Sequence, residues 1–138
     1  MIFVIGPLFS GKQDYIMQAL GWSETDFREK AVRDVQDLAA EAAEAAEAIG
    51  APEAAEAVEV SPSPLDDLQK KLRSLADRLS QKEVVIATET GGGVIPLDPQ
   101  ERRNREAAGR LSCLLAERAE TVVRVCCGIP QVLKGSGF

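Results

Sequence analysis

Met1-Ile2-Phe3-Val4-Ile5-Gly6-Pro7-Leu8-Phe9-Ser10-Gly11-Lys12-Gln13 reads as a short apolar strand that runs into a glycine-bounded loop and, from Gly11 onward, into a helix. The spacing Gly6-xxxx-Gly11-Lys12 is that of a phosphate-binding loop. In such a loop, backbone N–H groups and a helix N-terminus surround a polyphosphate, and the lysine adds a mobile positive charge. Gly6, Pro7, Leu8, Phe9, Ser10, Gly11, Lys12 and Gln13 are therefore the candidate nucleotide-binding residues. One position departs from the pattern: where it expects Ser or Thr to place a hydroxyl on Mg²⁺, this chain has Gln13. A glutamine carbonyl can approach a hard cation, but its longer arm and neutral amide hold an octahedral ion less well.

The net charge of −6 is concentrated between Glu24 and Glu59 and is accompanied by no basic tract. Phosphate backbones are held by clustered Lys and Arg, so this balance argues against nucleic acid as the main partner. Ile2 to Ile5 is too short for the apolar region of a signal peptide and lacks a basic flank. No apolar run approaches the roughly 20 residues of a membrane span. Cys113, Cys126 and Cys127 make an odd count without CxxC spacing, which suits reduced, mostly buried thiols in a cytoplasmic protein. There is no histidine, which removes Ser-His and Cys-His catalysis, histidine metal sites and phosphohistidine chemistry from this sequence.

Beyond the loop, Ile16, Met17 and Leu20 recur at helical spacing and Gly21 is a helix stop. Ser23 with Asp26 caps a further short helix running towards Lys30. Ala31 to Val35 alternates apolar and charged residues, as a short edge strand would. From Asp37 an Ala/Glu-rich helical segment of low complexity extends to about residue 64, with Glu41, Glu44 and Glu47 on one solvated ridge. Gly50-Ala51-Pro52 breaks it, and Ser63 with Pro64 starts a new helix bearing the stripe Leu65, Leu68, Leu72, Leu75 and Leu79. Val84 to Glu89 reads as a strand buried on both faces, followed by the turn Thr90-Gly91-Gly92-Gly93. Asp98-Pro99-Gln100-Glu101 is a capping box that opens a long helix. Thr121 to Cys127 is a last strand ending at Gly128-Ile129-Pro130, with the tail loose beyond Lys134. Helices separate the strands by enough for parallel crossovers, so the expected fold is α/β: a single domain over 1–138 with a three-layer, phosphate-loop-type parallel sheet flanked by helices. Ligands in such sheets lie beyond the carboxyl ends of the strands, which sets Glu89 and its glycine turn beside Lys12.

Thr88-Glu89-Thr90-Gly91-Gly92-Gly93-Val94-Ile95-Pro96, then Arg102 and Arg105-Glu106-Ala107-Ala108-Gly109-Arg110, then the closing strand with Gly128-Ile129, resemble the adenosylcobinamide kinase/adenosylcobinamide-phosphate guanylyltransferase family. That family favours Asn-Glu-Val-Gly-x-Gly-Ile-Val-Pro and Arg-Asp-x-x-Gly-Arg in the same order. Its loop, Gly-Gly-x-x-Ser-Gly-Lys-Ser, is matched at Gly6, Ser10, Gly11 and Lys12 but not at Pro7 or Gln13. The resemblance implies cobalamin biosynthesis, ATP or GTP with Mg²⁺, and phosphorylation of the aminopropanol hydroxyl of adenosylcobinamide. The family's guanylyl transfer is understood to run through a nucleotide attached to a histidine, and the histidine-free sequence resembles instead a shortened, kinase-like branch.

Lys12 and Glu89 are the catalytic candidates. Lys12 would stabilise charge on the β and γ phosphates, against the plainer reading of an exposed lysine on a glycine turn. Glu89 would hold a cation through water or accept the proton of the attacking hydroxyl; a cap or a salt bridge to Arg102 or Arg105 is the plainer reading. Gln13 and Glu89 form a weak candidate pair for the metal. Gly91, Gly93, Arg102, Arg105 and Arg110 are candidates for substrate contacts, with a tight turn and intrahelical ion pairs as the alternatives. Two further readings stand beside the kinase: a degenerate nucleotide- or corrinoid-binding module that serves a partner enzyme, and an unrelated small-molecule kinase on the same fold. The leucine stripe and acidic helical segment permit a homo-oligomer without demanding one.

Overall fold

The computed structural model describes residues 1–49, 64–90 and 93–138. Strand β1 (Ile2–Gly6) leads through the glycine-bounded loop into α1 (Lys12–Leu20). Then follow α2 (Glu24–Lys30), β2 (Ala31–Val32), α3 (Val35–Ile49), α4 (Pro64–Leu79), β3 (Val84–Thr88), α5 (Pro99–Arg118), β4 (Thr121–Cys126) and β5 (Ile129–Lys134). The strands form a five-stranded sheet in the order β2-β3-β1-β4-β5. β1 pairs in parallel with both β3 and β4, and β2 pairs in parallel with β3. The carboxyl ends of β1, β2, β3 and β4 therefore share one end of the sheet.

Side chains alternate across the sheet with the period-2 pattern of a strand. Phe3 of β1, Val85 and Ala87 of β3 and Val122 of β4 face one way and pack on α3, α4 and α5. Val4, Val84, Ile86, Val123 and Val125 face the other way and pack with Ile16 of α1 and Phe27 of α2. Helices on both faces give the three layers. Full burial of one large apolar side chain is worth about 1.5–3 kcal/mol, whereas an exposed ion pair contributes about 0–1 kcal/mol. The apolar clusters, rather than surface pairs such as Arg28–Glu24, hold the layers together.

Several local expectations hold in detail. Gly21 ends α1 in the left-handed region, at φ 64°, and its N–H donates to the Met17 carbonyl. Ser23 and Asp26 form a reciprocal capping box at α2. Leu72, Leu75 and Leu79 of the leucine stripe are buried in the chain's own core. The Ala/Glu segment proves to be two-sided. Glu41 and Glu44 are exposed, while Ala39, Ala43 and Ala46 are buried, and the first two lie in the cluster with Ala107, Ala108 and Leu111 of α5.

Other expectations need correction. β2 stops at Val32 and Val35 already opens α3, so Arg33 and Asp34 form a turn rather than strand. Asp98 caps α5 through the Gln100 N–H, but Glu101 turns to Arg105 instead of reaching back to close a box. The segment after Gly128 is β5, an antiparallel edge strand on β4. It is reached through the two-residue turn Cys127-Gly128, whose φ values of 54° and 72° are both positive, as a tight hairpin turn requires. The tail is not wholly loose, since Phe138 lies on Tyr15 with ring centroids 5.7 Å apart. All three cysteines are free and exposed rather than buried. Cys113 falls two residues off the apolar face of α5, and Cys126 and Cys127 sit at the hairpin turn beyond the cover of the helices. The helix stop at Gly50-Ala51-Pro52, the Ser63 cap and the turn residues Gly91 and Gly92 lie outside the described residues. Among the described residues no helix is long and apolar enough to cross a membrane.

Candidate functional site

The loop between β1 and α1 occupies the shared carboxyl end of the sheet. Gly6 ends the central strand where the backbone is tightest, for a Cβ added there would stand 2.1 Å from the Val125 carbonyl oxygen and 2.9 Å from Ser10 Oγ. Only glycine fits. Gly11, at φ 83°, then turns the chain into α1, whose first-turn N–H groups have no intrahelical partner. Phe9, at the tip, also has a positive φ of 57° and is 95% exposed. Ser10 is buried, and its carbonyl accepts a 2.8 Å hydrogen bond from the N–H of Gly128 in the β4–β5 turn. The hairpin thus braces the loop from the far end of the chain.

Lys12 is only 9% exposed. Its ammonium folds back over the loop and donates to the Gly6 carbonyl at 3.1 Å, to the Pro7 carbonyl and to Ser10 Oγ at 3.4 Å. Burial lowers its pKa, and the negative charges of Asp34 and Glu89 push it partly back up. All three of its donors are thus directed at acceptors of the loop itself.

Glu89 stands immediately after β3, and its N–H donates to the Gly6 carbonyl at 2.9 Å. Its carboxylate is gripped by the Arg124 fork, with Nε to Oε1 at 2.6 Å and NH2 to Oε2 at 3.0 Å. These hydrogen bonds hold the Glu89 pKa below the ordinary carboxylate range against the opposing effect of burial, and the charges of Arg124 and Lys12 add to the lowering. Glu89 is therefore an ionised structural pin between β3 and β4. Its partner is Arg124 rather than Arg102 or Arg105.

A cleft of about 490 Å³ opens over the loop, lined by Leu8 to Asp14 together with Arg33, Asp34, Ile86 and Thr88. The turn after β2 closes one side. Arg33 NH1 donates to Gln13 Oε1 at 3.0 Å, and Asp34 adopts a left-handed φ of 58°, uncommon outside glycine. The Thr88 N–H, at the end of β3 where β2 has already finished, is satisfied by Gln36 Oε1 at 2.9 Å.

The other proposed contacts lie elsewhere. Gly93 is exposed at φ 104°. Arg105 donates to the Val94 carbonyl at 2.7 Å and pairs with Glu101, which ties the loop after β3 to α5. Arg110 pairs with Glu106 at 2.7 Å and borders a cavity between α4 and α5. Arg102 is exposed in the first turn of α5. None of these three arginines lines the cleft above Lys12.

Sequence reasoning missed Arg33, Asp34, Gln36 and Arg124. Two signals were present: a charged pair directly after a strand at the ligand end of the sheet, and one arginine inside the otherwise apolar run Thr121–Val125.

A mostly parallel sheet between helical layers, with a glycine loop and a buried lysine at the carboxyl end of its central strand, defines a phosphate-loop-type α/β protein. The cobinamide kinase / cobinamide phosphate guanyltransferase family matches residues 53–133, and the chain belongs to that family. The match takes in β3, Glu89, α5, β4 and most of β5; the loop from Gly6 to Gln13 lies outside it. The chain is also similar to the bifunctional adenosylcobalamin biosynthesis protein CobP of Pseudomonas aeruginosa, with 36% identity over 74 residues. That alignment covers 54% of this chain and 43% of the relative, so the chain spans less than half of that protein's length.

Proposed function

We propose that this protein acts in cobalamin biosynthesis as a nucleoside triphosphate-binding, cobinamide kinase-like phosphotransferase. The observation that carries the reading is Lys12, buried at the head of α1 inside the Gly6–Gly11 loop on a chain whose residues 53–133 match the cobinamide kinase family. ATP or GTP lies along the loop, its phosphates received by the N-terminus of α1 and by Lys12. The aminopropanol hydroxyl of adenosylcobinamide attacks the γ-phosphorus as the bond to the β–γ bridging oxygen breaks. A nucleoside diphosphate leaves, and the hydroxyl proton passes to solvent late in a loose transition state. Glu89 serves this step as an electrostatic anchor, because a carboxylate clamped by Arg124 and lowered in pKa is a weak base. Arg102, Arg105, Arg110 and Gly93 stand as corrinoid contacts from the loop after β3 and from α5, together with Gly91 outside the described residues. The guanylyl half of the family's chemistry is not part of the reading, since the sequence contains no histidine. The protein works in the cytoplasm on soluble substrates.

A divalent ion such as Mg²⁺ was expected at Gln13 and Glu89. The oxygens these residues would offer are already engaged, by Arg33 and by Arg124, and among the described residues no group of three His, Cys, Asp or Glu could hold a metal. The donor set does not fit an ion held directly by these side chains. Charge neutralisation inside the loop is the work of Lys12 and the helix terminus.

Incubation of the purified protein with adenosylcobinamide and each nucleotide, followed by mass detection of the phosphate ester, tests the reading. The wild type forms the ester, and Lys12→Ala loses at least about 100-fold of the rate, in line with removal of a transition-state charge partner. Nucleotide binding without ester formation, under conditions where a full-length family member turns over, would reject the enzymatic reading.

A further inference from the structure

The residue that breaks the phosphate-loop pattern is not idle. Gln13 stands where a Ser or Thr hydroxyl would meet a divalent cation, and its Oε1 instead accepts a 3.0 Å hydrogen bond from Arg33 NH1. Arg33 reaches this place because β2 ends at Val32, at the carboxyl end of the sheet, and the turn that follows overhangs the loop. Arg33, Gln13 and Lys12 line the same cleft.

A guanidinium has five N–H donors in a planar fork, and its match to phosphate is bidentate. One donor is spent on Gln13, and Nε lies 3.7 Å from Asp34 Oδ2. Among the described residues the remaining donors make no hydrogen bond that would have to be broken before a phosphate could be met. Two carboxylates whose charge acts on Lys12 are likewise set against arginines, Glu89 against Arg124 and Asp34 against Arg33. These two oxygen donors are thus matched with fixed organic cations; Asp14, in the first turn of α1, also lines the cleft.

We propose that Arg33, positioned by Gln13, is the second positive charge of the phosphate site and stands in for the loop-bound divalent ion, so that a di- or triphosphate binds here without one. The proposal rests on the nucleotide-binding reading above and specifies its chemistry: the ligand is a free polyphosphate chain rather than its metal chelate.

Calorimetric titration of the whole chain with ATP, GTP and inorganic triphosphate, each in excess Mg²⁺ and in EDTA, tests it. Wild-type Kd values with and without Mg²⁺ agree within about threefold. Arg33→Met weakens binding by about 10- to 100-fold in EDTA, the range for losing a charge-assisted hydrogen-bond pair. Arg33→Lys falls between, keeping the charge but not the fork. Gln13→Leu, which leaves the arginine but removes its anchor, weakens binding less than Arg33→Met and serves as the second probe should Arg33→Met not fold. The double variant Gln13→Ser, Arg33→Ser restores a pattern in which Mg²⁺ tightens binding. Tightening of wild-type binding by tenfold or more on adding Mg²⁺, or an unchanged Kd in Arg33→Met, overturns the inference while leaving nucleotide binding intact. Absence of binding by the wild type in every condition overturns the inference and the nucleotide-binding reading together.

Discussion

At Gly6 the sheet and the loop compete for the same space. Its missing Cβ lets both the Val125 carbonyl and Ser10 Oγ close in, so Gly6→Ala must push β4, the loop or both aside. The expected cost is about 1–3 kcal/mol of stability, typical of overpacking a tight site, read as a lower denaturation midpoint at unchanged m-value. Nucleotide affinity falls with it, because Gly6 and Ser10 both belong to the loop. Glu89 makes a second prediction, and its sign follows from its lowered pKa. Below the unfolded pKa the unfolded chain begins to bind a proton that the folded chain still refuses, so stability falls as the pH drops through the folded pKa. Glu89→Gln is less stable than wild type at neutral pH, and the two curves converge on acidification below the ordinary carboxylate range. A gap that widens in acid would contradict the Arg124 clamp. Gly6 announces itself in the sequence by its spacing, whereas Arg124 does not. A lone arginine in a valine-rich strand shows that a partner is needed, but the partner lies 35 positions away and is chosen by the β3-β1-β4 strand order.

Elements made of local signals were readable, and those made by tertiary pairing were not. The α2 capping box, the glycine stop of α1 and the apolar run of β3 are short-range features, and all three appear where composition and spacing put them. β5 is different. Its sequence, Ile129-Pro130-Gln131-Val132-Leu133-Lys134, is exposed along its whole length and includes a proline, so it shows neither the alternation nor the apolar run that marks a strand. It exists because the Cys127-Gly128 turn folds it back on β4. α3 lies between these cases: propensity predicts the helix, but not that its alanines are a packing face. Ala39 and Ala43, one turn apart, share a cluster with Ala107 and Ala108 of α5, and methyl groups there let the two helices approach closely. Ala43→Leu inserts three carbons into that contact and should cost about 1–3 kcal/mol, measured by urea unfolding, whereas the same change at exposed Ala45 should fall within about 0.5 kcal/mol. Equal effects at the two positions would place α3 outside the core.

Across the whole molecule, the candidate site draws on the loop after β1, the turn after β2, the residues after β3 and the turn after β4. A ligand that binds only this assembled arrangement stabilises every element at once, by about 2.7 kcal/mol at a free concentration 100 times its Kd. ATP or GTP at such a concentration should raise the melting temperature of the full chain by several degrees, and the shift should disappear in Lys12→Ala. A shift that persists in that variant would locate the nucleotide somewhere other than the loop. The parallel pairing of β1 carries one more consequence. Among the described strands β1 comes first in sequence, yet it lies at the middle of the sheet between β3 and β4, and its loop is braced by the N–H of Gly128. β1 meets these two partners only once residues beyond 84 have been made, and its loop meets the Gly128 brace only after β4. Such long-range closure is slow relative to local helix formation, so the loop after β1 is finished later than the helices around it.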